Sequence, residues 1–266
     1  MGAGVLHAKR AAARFTLQRH PPPAGLTPFL DYFWVIRWDL RGQPPHEQPI
    51  LPHPNVNLVF EATGAAVFGV DTKIFTRRLS GQGKALGIRF RPGGFRPFFS
   101  KPIFLLNDGV VPARRVFGQA ADEACAQVMS GAAGDAAMVE AAAALLRGAR
   151  PATDPVAEQV AELAALITRD QGLYRVAQLA EVSGLPARRL QRMFAEYVGV
   201  SPKWVMRRAR LHEAALRAEA GGAGSVDWAA LAADLGYADQ AHLTRDFTAT
   251  IGIAPTRYAA GEPARP

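Results

Sequence analysis

Cysteine is nearly absent from these 266 residues: Cys125 stands alone. A single thiol excludes an intrachain disulfide framework and any zinc site built from several thiolates. Its place in an Ala-rich stretch suits a small core residue. Long apolar runs are missing too. No stretch approaches the ~18 consecutive apolar residues that a membrane span requires, and the opening MGAGVLHAKRAAARF has no apolar core of the kind a secretory leader carries. Position 6 is Leu rather than Ser or Thr, which speaks against myristoylation. The expectation is a cytoplasmic protein with no membrane partner. The chain also lacks a Gly-x-Ser-x-Gly elbow and a Gly-rich loop ending in Lys-Ser or Lys-Thr. His46 and His53 lie in Pro-rich, loop-like sequence with no second His one or two positions away, so they have no metal-ligand spacing. No catalytic residue, metal or cofactor is expected, and the chain reads as a non-enzyme.

What is present is a repeat. Leu179-Ala180, Gly184-Leu185, Leu190, Arg192, Phe194, Gly199-Val200 and Pro202 recur as Leu231-Ala232, Gly236-Tyr237, Leu243, Arg245, Phe247, Gly252-Ile253 and Pro255. An apolar pair, a Gly-centred turn and a helix carrying Leu-x-Arg-x-Phe spell a helix-turn-helix, whose second helix enters the DNA major groove. The spacing predicts two units, at about 175–198 and 227–250. In the first, Val176, Leu179 and Ala180 line one helix face and Gly184 permits the conformation that ends it. Leu190 and Phe194, four apart, bury the inner face of the next helix and leave Arg188, Gln191 and Arg192 opposite. Arg and Gln suit bidentate pairing with guanine and adenine edges. A solvated surface helix would also carry such residues, but two units in tandem weigh against that.

Between the units, KWVMRRARLHEAALRAE (203–219) reads as one helix of about 26 Å at 1.5 Å per residue. Such a spacer would let two recognition helices reach successive major grooves. Net charge is +8. It resides in the wrong half for a simple DNA argument: residues 1–150 hold eighteen basic against ten acidic side chains, and residues 151–266 thirteen against thirteen. Locally, however, residues 188–217 carry eight basic side chains against Glu196 and Glu213. That stripe, with Lys203, Arg207 and Arg208 placed to meet phosphates, is the electrostatic footprint of a nucleic-acid binder.

The first half differs. WVIRW (34–38), VNLVFE (56–61), AAVFGV (65–70) and ALGIRF (85–90) are short β-prone runs separated by Pro and Gly clusters, which predicts an antiparallel sheet or barrel. Gln119 to Arg147 is Ala-rich and predicts two helices broken at Ser130-Gly131. RGARPATDP follows as a linker, with Thr153 or Asp154 as N-cap and Pro155 at the first helical position. The fold class is α+β in two domains, residues 1–150 and 151–266. A ligand cavity in the first would be lined by aromatic and a few polar groups. Trp34, Phe60, Phe68, Arg89 and Arg91 are the candidates, with Arg89 and Arg91 on one strand face; the alternative is that these aromatics are core and the arginines solvated. The positive N-terminal half points to an anionic effector.

GVSPKWVMRRARLHEAAL followed by LAADLGYADQAHLTRDFTATIGIAPTRY resembles the DNA-binding domain of AraC-type (AraC/XylS) transcription regulators, over roughly residues 155–259. The resemblance implies double-stranded DNA as partner, with base contacts from Arg188, Gln191 and Arg192 in the first unit and Gln240, His242 and Arg245 in the second. It further implies an activator that meets RNA polymerase, with a homodimer formed through the N-terminal module. Thr248-Ala249-Thr250 departs from a commonly basic stretch in this family. LPHPNVNLVF and LGIRFRPGGFRPFF look like the cupin-like N-terminal region of a subgroup with an undefined ligand. Alkylation-repair regulators share such helices but need several cysteines. The rival reading is a ligand-binding or enzymatic barrel with a helical protein-interaction tail; a second rival is a non-specific architectural DNA binder.

Overall fold

The β-prone runs become one six-stranded antiparallel sheet in a computed structural model that describes residues 6, 11–131, 134–170, 172–221 and 225–262. The opening segment read for targeting signals thus lies largely outside the described residues, as do residues 263–266. The strands are β1 (Thr16–His20), β2 (Leu30–Leu40), β3 (His46–Ile50), β4 (Asn57–Glu61), β5 (Gly64–Phe68), β6 (Phe75–Leu79), β7 (Gly81–Phe90) and β8 (Val110–Pro112). The large sheet runs β1-β2-β7-β4-β5-β8, and β3 pairs with β6 as a separate ribbon. The polar strands β1, β3 and β6 carry no apolar run that would have flagged them, and His46, read as loop, opens β3 opposite Leu79.

Alternation divides the large sheet's faces. Phe33 and Val35 on β2, Leu58 and Phe60 on β4, and Leu86, Ile88 and Phe90 on β7 are buried in one core with the helices. Those helices are α1 (Arg114–Phe117), α2 (Ala120–Met129) and α3 (Asp135–Gly148), the last two separated at Ser130 as the composition implied. Cys125 is buried within that core. The other face carries Tyr32, Trp34, Ile36, Trp38, Asn57, Val59 and Arg89, turned toward a cavity closed by residues of the ribbon.

The helical half begins where Asp154 caps α4 (Pro155–Arg169), its Oδ1 accepting from the Val156 amide at 2.8 Å. Next come α5 (Val176–Ser183) and α6 (Ala187–Tyr197), then α7 (Pro202–Gly221), then α8 (Trp228–Asp234), α9 (Gln240–Ile251) and a short α10 (Pro255–Ala259). Gly184 and Gly236 occupy equivalent turns with φ of +66° and +69°, a region in which a Cβ is strained. The repeat seen in sequence is a repeat of backbone. The 20-residue α7 spans about 30 Å and divides its buried face between the units. Val205 and Met206 join a core with Leu179, Leu190 and Phe194, whereas Leu211, Ala214, Ala215 and Ala218 join one with Leu231, Leu243 and Phe247.

The halves touch along the same helices. Asn107 Nδ2 donates to the Gly199 carbonyl at 2.7 Å, Arg96 reaches Glu196 at 3.5 Å and lies 5.6 Å over the Tyr197 ring. Val70 is buried in the first unit's core, and Leu6 and Leu51 in the second's.

Candidate functional site

The exposed face of α6 begins with its cap. Pro186 stands at the N-cap with no side-chain acceptor, so the first-turn amides meet no protein carboxylate, and Arg188 and Arg189 are exposed there. Leu190, Met193 and Phe194 are buried, which turns Arg188, Gln191 and Arg192 together to solvent. On α9, Leu243, Phe247 and Ile251 are buried, and Gln240, His242 and Arg245 are exposed. The cap differs: Asp239 accepts from the His242 amide, placing a carboxylate at this helix N-terminus. A carboxylate there opposes an approaching phosphate, whereas α6 offers free amides and guanidinium groups.

The three residues expected at phosphates fare unequally. Lys203 is exposed. Arg207 is exposed but ion-paired with Asp246 of α9, whose other oxygen accepts from the Tyr237 hydroxyl at 2.9 Å. Arg208 is 5% exposed, lies 5.0 Å over the Trp204 ring and leaves Nη1 without a partner among the described residues. Burial lowers its pKa to about 10. A phosphate cannot reach it here. The signal that would have shown this is helical spacing: Val205, Arg208 and Leu211 follow at i, i+3 and i+6 along the buried seam. Leu216, farther along α7, is exposed.

The second site is a cavity of about 210 Å³ between the large sheet and the β3–β6 ribbon. Of the five residues expected to line a ligand site, Trp34, Phe68 and Arg89 do. Phe60 points to the opposite face and is fully buried against the helices. Arg91 lies past the end of β7, where its amide donates to the Phe29 carbonyl, so Arg89 and Arg91 share no strand face. Sequence reasoning missed Tyr32, Trp38, Asp71 and Phe75, which the fold alone brings together. Trp34 and Trp38 lie against β7 because it has Gly opposite each: a Cβ on Gly87 would fall 2.0 Å from the Trp34 indole, and one on Gly83 2.3 Å from that of Trp38.

The wall's charges are mostly paired. Arg77 pairs with Glu61. Arg89 donates to the Tyr32 hydroxyl at 3.1 Å and to Asn55 Oδ1 at 2.6 Å, and its Nε stands 3.4 Å from Asp31. Burial raises the Asp31 pKa despite that guanidinium. His53 Nε2 is covered and has no hydrogen-bond partner among the described residues; burial, then the Arg89 charge, pushes its pKa well below the ordinary imidazole value. Its ring meets that of His212 on α7 edge to face at 5.2 Å, and burial lowers the His212 pKa as well. The pair is neutral at pH 7.

Asp71 is half-buried, and burial, then the neighbouring Asp108, raises its pKa to about 6. An unfolded carboxylate ionises near ~3.9. The folded state therefore holds a proton that the unfolded chain has released, so the stabilising contribution of this group is full below pH ~4 and lost as pH rises through 6. Asp71→Asn removes that dependence. Urea midpoints of wild type and variant, compared from pH 4 to 7, are expected to diverge, with the variant more stable at the upper end; a constant difference would contradict the assignment.

Residues 179–261 match the family model described as a helix-turn-helix domain. The chain carries an AraC-type helix-turn-helix domain. It is a DNA-binding transcription regulator. The AraC-type domain is preceded by a match of residues 18–112, which hold β2 to β8 and most of β1, to a domain family of unknown function, DUF6597. A search of curated proteins finds no match. Among solved structures, ToxT from Vibrio cholerae aligns at 11% identity over 92% of this chain and 98% of its own, with a TM-score of 0.39. The C-terminal domain of AraT, a response regulator from Geobacillus stearothermophilus, aligns at 20% identity over 42% of this chain and 89% of its own, with a TM-score of 0.35. A ToxT structure with bound unsaturated fatty acid scores 0.37 at 10% identity, over 95% of this chain and 98% of its own. Among the described residues, no helix is long and apolar enough to cross a membrane.

Proposed function

We propose that this protein is a cytoplasmic, non-enzymatic, sequence-specific regulator, an activator that meets RNA polymerase, divided into an N-terminal sensor and dimerisation module (1–150) and a DNA-binding domain (151–266). In this reading α6 and α9 each enter a major groove and read two adjacent half-sites through Arg188, Gln191, Arg192, Gln240, His242 and Arg245, with Lys203 on the backbone. The observation that carries it is the pair of exposed polar helix faces, each held over its own buried Leu and Phe and both fixed to α7. A protein-interaction tail gives no reason for an exposed arginine, a bidentate donor, at the same position of both units, Arg192 and Arg245.

Modulation by a small molecule in the barrel is supported by the cavity wall. Leu51 and His53 line the cavity, and the same two residues pack against the DNA-binding half, Leu51 in the second unit's core and His53 on His212.

Selection of random DNA fragments by the full-length protein at near-physiological salt tests this reading. The expected result is a motif of two half-sites about 10 base pairs apart. Arg192→Ala, run in parallel, relaxes one half of the motif and leaves the other. Retention of DNA without sequence preference would make the protein an architectural binder, and no retention would favour the barrel with a docking tail.

A further inference from the structure

We infer that the barrel cavity takes a small organic cation, an amine on an apolar or aromatic body, with Asp71 as its counter-charge. This rests on the N-terminal domain being an effector module, as proposed above. Three observations converge on it.

The walls come first. Phe15, Tyr32, Trp34, Trp38, Phe68 and Phe75 all face the cavity. The two indoles are held flat on β7 by Gly87 and Gly83, where any larger residue would displace them. Faces of Trp and Tyr attract cations through the ring quadrupole. The protein uses this itself at one end, where Arg19 sits 4.6 Å over the Tyr32 ring.

Hydrogen-bonding capacity comes second. Two of the cavity's three arginines have carboxylate partners, Arg77 in Glu61 and Arg89 in Asp31, and Arg89 also donates to Tyr32 and Asn55, whereas Arg19 is exposed to solvent over the Tyr32 face. Polar groups of the wall without a hydrogen-bond partner among the described residues include the Asp71 carboxylate, His53 Nε2 and Arg89 Nε, the last 3.4 Å from the Asp31 carboxylate. An ionised carboxylate only accepts hydrogen bonds, and a neutral imidazole can accept one. With Arg77 paired to Glu61 and Arg89 turned to Asp31, the wall's carboxylate left without a cationic partner is that of Asp71, and it calls for a donor. The proposal departs from the anionic effector that net charge alone suggested, because Arg77 and Arg89 in the wall each have a carboxylate partner.

Size comes third. The cavity equals about seven waters at ~30 Å³ each. That admits a body of about ten non-hydrogen atoms, the scale of a phenylalkylamine.

The test uses the full-length protein and three probes of one shape and different charge: 2-phenylethylamine, 2-phenylethanol and 3-phenylpropionate. Calorimetry and thermal unfolding are expected to show the amine binding at least about tenfold more tightly than the other two. Asp71→Asn is expected to abolish that preference while remaining folded, as its own unfolding transition shows, and Gly87→Val to weaken all three probes by moving Trp34. The inference is overturned if the alcohol or the acid binds as tightly as the amine, if Asp71→Asn keeps the preference, or if no probe binds at millimolar concentration. The DNA selection is read separately. Operator binding retained while the amine fails would discard the ligand class and leave the regulator; loss of operator selection would remove the regulator whatever the cavity binds.

Discussion

Arg192→Ala weakens binding to the selected operator by about 5- to 150-fold, the equivalent of roughly 1–3 kcal/mol for a bidentate arginine on guanine. Arg245→Ala costs less. The asymmetry follows from the caps: α6 starts at Pro186 with free amides and with Arg188 and Arg189 exposed beside them, and α9 starts at Asp239, whose carboxylate already takes the His242 amide. Around α9 the charge is further offset, because Asp246 pairs with Arg207 and Thr248-Ala249-Thr250 contributes no base. Dissociation constants for both variants at two salt concentrations check this. Equal losses at both salts would mean that the caps do not bias the two units. An Arg192→Ala protein with unchanged affinity would remove α6 from the interface.

Phe247→Ala destabilises the second unit by about 3–5 kcal/mol, the usual cost of emptying a fully buried phenylalanine site. Phe247 is inaccessible and sits at the centre of a core formed by Leu243, Leu231, Leu211 and Tyr258, whose ring lies 5.4 Å away at 69°. Little can collapse into the gap, because three sides are helices fixed by their own buried residues. Phe247→Leu, which keeps most of the volume, is expected to cost under about 1.5 kcal/mol. Urea unfolding followed by hydrogen exchange of the α9 amides measures both. The alanine variant is also expected to keep the first half-site and lose the second. A shift no larger than that of the leucine variant would show that this core is loosely packed.

Most of the helical half was legible in the sequence, because its determinants are local. Asp154 before Pro155, Gly184 and Gly236 after apolar pairs, and Leu190/Phe194 and Leu243/Phe247 four apart each dictate a cap, a turn or a face within one or two turns of chain. Arg208 carries the charge of a phosphate ligand, but its spacing between Val205 and Leu211 sets it in the buried seam of α7. The barrel was legible only in part. Its central strands are apolar on both faces or nearly so, and a run such as VNLVFE does not say which side Phe60 takes. That side is set by register, Phe60 opposite Leu86 and Ala65, and register is a property of strands that meet only on folding. The strands β1, β3 and β6 are polar because they border a cavity or solvent, and so they lack the signal by which strands are found. Asp71 and His53 acquire their character from burial beside groups remote in sequence, such as Asp108 and His212.

The dual membership of Leu51 has a thermodynamic consequence. One side chain is part of the cavity lining and also of the core that seats α9, so under the proposed effector role occupancy of the cavity and engagement of the operator would be states of one linked system. Linkage is reciprocal: whatever factor a bound effector applies to operator affinity, the operator applies to effector affinity. A molecule resting on its promoter would then respond to a different effector concentration from a molecule free in the cell, and the number of operator copies would help set the threshold at which the population answers.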